Sequence, residues 1–435
     1  MSADNSRATA AAPGLLGALK SLSPQQRRSG LAAWLGWLFD GLDMHIYTLV
    51  AVPFVAQLLA TGDKDPEVAN KSSIIMAAFL AGWALGGAFF GRLGDLIGRS
   101  RALVLTILTY AGFTGLSAIS TEWWHLMIFR FLAALGIGGE WAVGASLLAE
   151  TWPKSWRPWI AAALQTAVNL GILLACLAGW IMKSMDPRWI FLVGILPALI
   201  TWWIRRAVPE TEEWKSARKA SQPPRVADLF STGVARVTWR VLAICAVSLT
   251  AHWAFMFWQQ SFIRKHPAVA GLTDAEKTGA AVQALTVLMI GSIAGNFLAG
   301  WLAKRHGYRF AMTLLLALYG MTMAVTFAAD WSYGMTLFWF VLLGAWAGVF
   351  GLFTMCLPPL FPTLLRTTGA GFCYNIGRLA AAGGTVFFGL FNKVDSPGRA
   401  LLVASVLFLP ATLLALLLPQ AKPDSTGPTA LEDLQ

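Results

Sequence analysis

The sequence predicts an all-α membrane protein of twelve transmembrane helices in two six-helix bundles. Three observations predict it. Of 435 residues, 57% are hydrophobic and only 13% charged, about half the charged share of an ordinary soluble domain. Apolar runs long enough to cross a hydrocarbon core of about 30 Å recur along the whole chain. They lie near 31–57, 72–91, 101–119, 123–148, 158–182, 189–204, 238–262, 280–303, 309–329, 332–356, 367–391 and 398–419, numbered here as spans 1 to 12. The third observation is a duplication. Gly91-Arg92-Leu93-Gly94-Asp95-Leu96-Ile97-Gly98-Arg99-Ser100-Arg101 and Gly300-Trp301-Leu302-Ala303-Lys304-Arg305-His306-Gly307-Tyr308-Arg309 are basic loops with two glycines seven apart, displaced by 209 residues. The loops Glu150–Arg157 and Pro359–Arg366 keep that displacement, Pro153 falling on Pro362 and Arg157 on Arg366. Two loops in one register make a duplicated half.

Span 1 follows a polar, basic leader (Arg7, Lys20, Arg27, Arg28) without a small-residue cleavage site, so it reads as a retained span rather than a signal peptide. Residues 1–29 form an N-terminal tail, 30–206 the first bundle and 238–420 the second. The segment 207–237 is polar and charged, with Pro209, Pro223 and Pro224, and reads as a linker with room for a short amphipathic helix. The tail 421–435 is polar and reads as disordered.

The net charge of +11 would suit nucleic acid, but its placement argues otherwise. The ends and even-numbered loops hold 22 of the 33 Lys and Arg, and the odd loops nine. Such asymmetry puts the even loops and both termini in the cytoplasm, and the basic excess serves topology. Cys176, Cys245, Cys356 and Cys373 sit in apolar runs without metal-ligand spacing and read as buried thiols. Gly136-Ile137-Gly138 has no preceding strand and no following Gly-Lys-Ser/Thr, so it is not a nucleotide loop. No nucleophile–base arrangement stands out, and an enzyme is not expected.

Gly91–Arg101 resembles the signature loop between spans 2 and 3 of the major facilitator superfamily, and the six-plus-six organisation is similar to that superfamily over essentially the whole chain. Phe39-Asp40-Gly41-Leu42-Asp43, Gly136-Ile137-Gly138-Gly139-Glu140-Trp141 and Phe372-Cys373-Tyr374-Asn375-Ile376-Gly377-Arg378 resemble motifs of proton-coupled organic-acid symporters of the lactate and sialic-acid types and, more loosely, of aromatic-acid permeases. The resemblance implies a monomeric bacterial inner-membrane carrier that brings in a small organic anion with protons by alternating access. A monocarboxylate such as lactate heads its expected substrates, followed by sialic or aromatic acids. A ligand sensor without turnover is the rival reading. No cofactor is implied; the proton gradient supplies the energy.

The resemblance also implies that the loop latches the two bundles at the cytoplasmic face, through Gly91, Asp95, Gly98, Arg99, Glu150, Arg157 and Arg366. Asp95 would meet Arg99 or the positive N-terminus of a neighbouring helix. The family's loop between spans 10 and 11 has an acid where this chain has Pro359, which predicts a weaker latch in that half.

Ionisable residues inside spans are costly and point to function or paired structure. Here they are Asp40, Asp43 and His45 (span 1), Arg130 and Glu140 (span 4), His252 (span 7) and Arg378 (span 11). A rise of about 1.5 Å per residue places Asp43 and Arg378 roughly 16–18 Å from the cytoplasmic face and Asp40 and Glu140 at about 12–14 Å. Arg378 reads either as the anchor of a substrate carboxylate, which guanidinium binds bidentately, or as half of an ion pair with Glu140 or Asp43. Asn375, one turn earlier, would position the same group. Asp43, Asp40 and Glu140 are candidate proton carriers, with Arg130 as a cation that rearranging pairs exchange. Burial favours a neutral carboxyl and a nearby cation a charged one, so rearrangement can switch protonation. Tyr47 continues the Asp40–Asp43 face. The repeat maps Asp43 onto His252 and Asn169 onto Arg378, as one site at the repeat interface would require. His252, Gln165 and Asn169 complete the expected substrate lining, joined by Asn296, Phe255 and Trp258, while His45 is expected to point away.

Overall fold

The computed structural model describes residues 22–62, 65–182, 185–222, 224–394 and 397–418. The leader before residue 22 and the tail after 418 lie outside these, as does the side chain of Cys176. The twelve spans are helical: Pro24–Leu58, Pro66–Ile97, Arg99–Ser117, Trp123–Thr151, Arg157–Ile181 and Leu196–Ala207 (preceded by a 3-10 turn, Pro187–Ile195), then Ala235–Arg264, Asp274–His306, Tyr308–Ala328, Tyr333–Ala347 continued by Val349–Cys356, Arg366–Val394, and Pro397–Ser405 continued by Phe408–Ala415. Among the described residues, eight helices are long and apolar enough to cross a membrane on those grounds alone. Spans 1 and 11, which carry Asp40, Asp43 and Arg378, are not among the eight. Between the bundles a linker helix runs from Glu212 to Ala220, with Thr211 as its N-cap.

Helix ends follow local chemistry. Ser23 and Gln26 close a reciprocal capping box at the start of span 1, and Thr273 and Glu276 do so before span 8, satisfying amide donors that no helical turn reaches. Spans 2 and 3 meet at Gly98 with φ +104°, and spans 8 and 9 at Gly307 with φ +87°. These are the only glycines with positive φ among the described residues, and they are the repeat-related pair. A side chain would be strained at either.

The duplication extends to packing. A Cβ at Gly82 or Gly86 of span 2 would collide with the carbonyl oxygens of Phe131 and Leu135 in span 4. The equivalents Gly291 and Gly295 of span 8 lie as tightly against Val341 and Ala345 in span 10. Between the bundles the symmetry is crossed. A Cβ at Gly91 would come 2.8 Å from the carbonyl of Thr367 in span 11, and one at Gly300 would come 2.8 Å from the carbonyl of Pro158 in span 5. Gly91 maps onto Gly300, and Pro158 onto Thr367, by the same 209 residues. Each bundle thus offers the other a glycine and a helix start, and without side chains in the way the backbones approach closely.

Candidate functional site

The basic loops gather on one face, where charged side chains tie the bundles together. Asp95, fully buried, accepts hydrogen bonds from the Thr368 amide (2.8 Å), the Thr368 hydroxyl (2.6 Å) and the Thr367 amide (3.4 Å). Its carboxylate therefore caps span 11 of the opposite bundle, where exposed amide donors and the helix dipole favour an anion. Arg99 pairs with Asp95 at 3.0 Å and with Glu150 at 2.9 Å, and donates to the carbonyl of Thr363 across the interface at 2.7 Å. The Glu210 carboxylate accepts from the Arg99 amide at 2.6 Å and fills the space a side chain at Gly98 would need.

At the loop where Pro359 replaces an acid, Arg366 finds its acidic partners elsewhere. Arg366 reaches Glu150 of the other bundle at 3.2 Å and Glu213 of the linker helix at 2.7 Å, so the linker supplies an acid that the loop lacks. Arg157 donates to the carbonyl of Ala149 and, among the described residues, makes no ion pair.

At the centre lies a cavity of about 130 Å³. Its wall contains Asp40, Met44 and His45 from span 1, Trp83 from span 2, Gln165 and Asn169 from span 5, His252 and Trp253 from span 7, Ser292 from span 8, and Tyr374 and Arg378 from span 11. Arg378 stands with its guanidinium carbon 3.8 Å from the centre of the Trp83 ring and 4.8 Å from that of Tyr374. One Nη donates to Asn375 Oδ1 at 3.4 Å, whereas Nε is buried without a hydrogen-bond partner. No carboxylate among the described residues forms a salt bridge with it. Asp40 lies within electrostatic reach of Arg378, Glu140 and Asp43. Its Oδ1 and both Glu140 carboxylate oxygens are buried and unpartnered.

The repeat recurs inside the cavity. Asn169 donates to the Ser292 hydroxyl at 3.2 Å, and Arg378 stacks on Trp83. Asn169 maps onto Arg378, and Trp83 onto Ser292. The same crossing of helices is thus made twice, once with neutral polar groups and once with a cation on an aromatic ring.

The Major Facilitator Superfamily family matches residues 33–385. The chain belongs to this superfamily. It is 30% identical over 381 residues to a probable 4-methylmuconolactone transporter of Cupriavidus pinatubonensis, covering 86% of this chain and 85% of that one. It is 26% identical to the sialic acid transporter NanX of Escherichia coli, covering 89% and 93%. Among solved structures, the proton:xylose symporter XylE superposes with a TM-score of 0.75 at 16% identity, over 94% of this chain and 99% of that one. The fold is therefore that of the major facilitators, and the protein is an integral membrane transporter rather than an enzyme.

Within this superfamily fold the expected site residues divide into three groups. Arg378, Asp40, Gln165, Asn169, His252 and Phe255 reach the cavity. Glu140 and Asn375 stand behind its wall; the Asn375 amide donates to the Gly371 carbonyl at 2.9 Å and packs against Gly87, so Asn375 supports Arg378 rather than lining the cavity. Asp43, Arg130 and Tyr47 do not line the cavity, so Tyr47 is not placed to touch a molecule held there. Asp43 receives Arg130 at 3.2 and 3.0 Å and the Thr114 hydroxyl. Tyr47 donates to the Ser72 carbonyl at 3.2 Å. This is a closed, buried cluster of the first bundle. His45, expected to point away, is on the cavity wall, with Nδ1 3.0 Å from the Gly41 carbonyl. His252 is held by the Tyr319 hydroxyl at 2.9 Å. Asn296 and Trp258 do not line the cavity. Sequence reasoning missed Trp83: one of 21 tryptophans carries no signal until its neighbour is known.

Proposed function

We propose that this transporter carries a small organic acid into the cell with protons, with Arg378 as the anchor of its carboxylate. The observation that carries the proposal is an arginine on the cavity wall that, among the described residues, forms no salt bridge with a carboxylate and whose Nε has no hydrogen-bond partner. An arginine left without a counter-charge in a membrane interior is costly, and a bound carboxylate would supply that charge through two parallel hydrogen bonds. Asp40 and Glu140, buried together with unpartnered oxygens, carry the coupled proton in this reading, because two adjacent carboxylates do not both ionise readily. Asp43 is left as a structural partner of Arg130. The positive-inside distribution supports assigning the basic face to the cytoplasm; the latched state then gives access from outside.

Substrate size follows from the walls. An apolar cavity of about 150 Å³ accepts benzene, so 130 Å³ suits an acid of one ring or equivalent length. Aromatic walls offer such a molecule the contact area that lactate lacks. The names of the relatives, a probable 4-methylmuconolactone transporter and a cis,cis-muconate transport protein of Acinetobacter baylyi, support that size class.

The test is uptake into proteoliposomes of labelled cis,cis-muconate, 4-methylmuconolactone, sialic acid and lactate, with and without an inward proton gradient. Gradient-driven accumulation of a ring-sized acid, lost in Arg378→Lys with normal protein levels, is the expected result. Unchanged affinity in Arg378→Lys refutes the anchor.

A further inference from the structure

We infer that Trp83 is a positioning residue for the anchor: it holds the Arg378 guanidinium from the opposite bundle and aims its free edge at the substrate. The inference rests on the carboxylate-anchor reading above. A guanidinium is planar, and a carboxylate meets it along an edge, whereas an aromatic ring covers a face. At 3.8 Å from guanidinium carbon to ring centre, the cation sits directly over the Trp83 ring. Trp83 is itself fixed on three sides. Trp253 meets it edge-on at 5.7 Å and Phe79 at 5.9 Å, and its backbone carbonyl abuts Gly138 of span 4, where any Cβ would collide. These contacts hold the indole in the place where the arginine meets it.

The clamp also spans the two bundles. Trp83 belongs to span 2, while Arg378 and Tyr374 belong to span 11. Tyr374 stacks face to face on Trp141 of span 4 at 4.0 Å and 6°, so the first bundle grips both sides of the segment that carries the anchor. Asn169 and Ser292, at the repeat-related crossing, make an ordinary hydrogen bond. The cationic version was thus built at only one of two equivalent places, the one bearing the free Nε.

The experiment measures KM and Vmax for cis,cis-muconate and 4-methylmuconolactone uptake in Trp83→Leu, Trp83→Phe and a protein with tetrafluorotryptophan at position 83. The fluorinated ring keeps the shape and removes the negative face, so it separates the electrostatic contribution from the packing that Leu also removes, and it remains a test if the Leu variant fails to fold. The expected result is a KM raised about tenfold by Leu and by the fluorinated ring, the scale of a desolvated cation–π contact. Phe should stay within about threefold of wild type, with Vmax unchanged throughout. Wild-type KM in the fluorinated protein overturns the inference, as does a loss in Phe as large as that in Leu. A merely structural role would lower Vmax and protein yield together. Arg378→Lys, run alongside, separates the two failures: if it leaves KM unchanged the anchor reading falls, and if it alone acts only the clamp falls.

Discussion

Asp43→Asn tests how the buried charges are divided. Asp43 is 1% exposed and Arg130 fully buried. The carboxylate takes both Arg130 Nη groups and the Thr114 hydroxyl. Tyr47, Phe79 and Phe191 enclose the guanidinium at 5.7, 4.8 and 5.9 Å. Removing the negative charge leaves a buried cation, at a cost of about 3–5 kcal/mol. The Asp43 carbonyl, 3.3 Å from Nη2, and the three rings stay in place around the cation, which favours the lower end of that range. The net expectation is about 3 kcal/mol of lost stability. Arg130→Gln added to it should cost much less than a second, independent loss, since the pair acts as one unit. The assay is equilibrium unfolding of the purified single and double variants in detergent, with uptake measured at several external pH values. A variant as stable as wild type whose uptake no longer responds to the proton gradient would refute the reasoning and return Asp43 to the coupling site.

If Asp40 carries the proton as proposed, Asp40→Asn should abolish gradient-driven accumulation while sparing exchange of labelled for unlabelled substrate; full accumulation would exclude Asp40 as that carrier. Asp95→Asn removes the charge that caps span 11 and pairs with Arg99, so uptake should fall at least tenfold, by about 1.4 kcal/mol or more, with substrate binding preserved. Thiol labelling of a cysteine placed at Thr363 should then rise, reporting the opened face; unchanged labelling would deny the latch. Gly295→Val drives a side chain into the carbonyl of Ala345, and overpacking of about 1–3 kcal/mol should lower the yield of monodisperse protein in size-exclusion chromatography. Gly86→Val, at its repeat mate, should do the same.

Much of the architecture was legible because its causes are local. Apolar runs, basic loops and paired glycines are one-dimensional patterns, and the 209-residue displacement carried Gly98 onto Gly307 before their positive φ was known. For Asp95 the sequence offered two kinds of partner, Arg99 or a neighbouring helix start; the structure uses both, and only it shows that the helix is span 11. The pairing of charges at the centre was not. Asp40 and Asp43 are three residues apart, about 60° around a helix of 3.6 residues per turn. That angle sends one carboxylate to the cavity and the other to Arg130.

The sequence by itself determined twelve helices, their duplication and the short list of buried charges, since each follows from the solvent the chain must face. Only the tertiary structure decided which charges are spent on each other. It closed Asp43 with Arg130, brought Glu213 from the linker to Arg366, and set Trp83 of one bundle against Arg378 of the other. Those contacts join residues far apart in the chain, and side-chain charges interact strongly only over a few ångströms. Helix rotation and bundle docking therefore choose the partners.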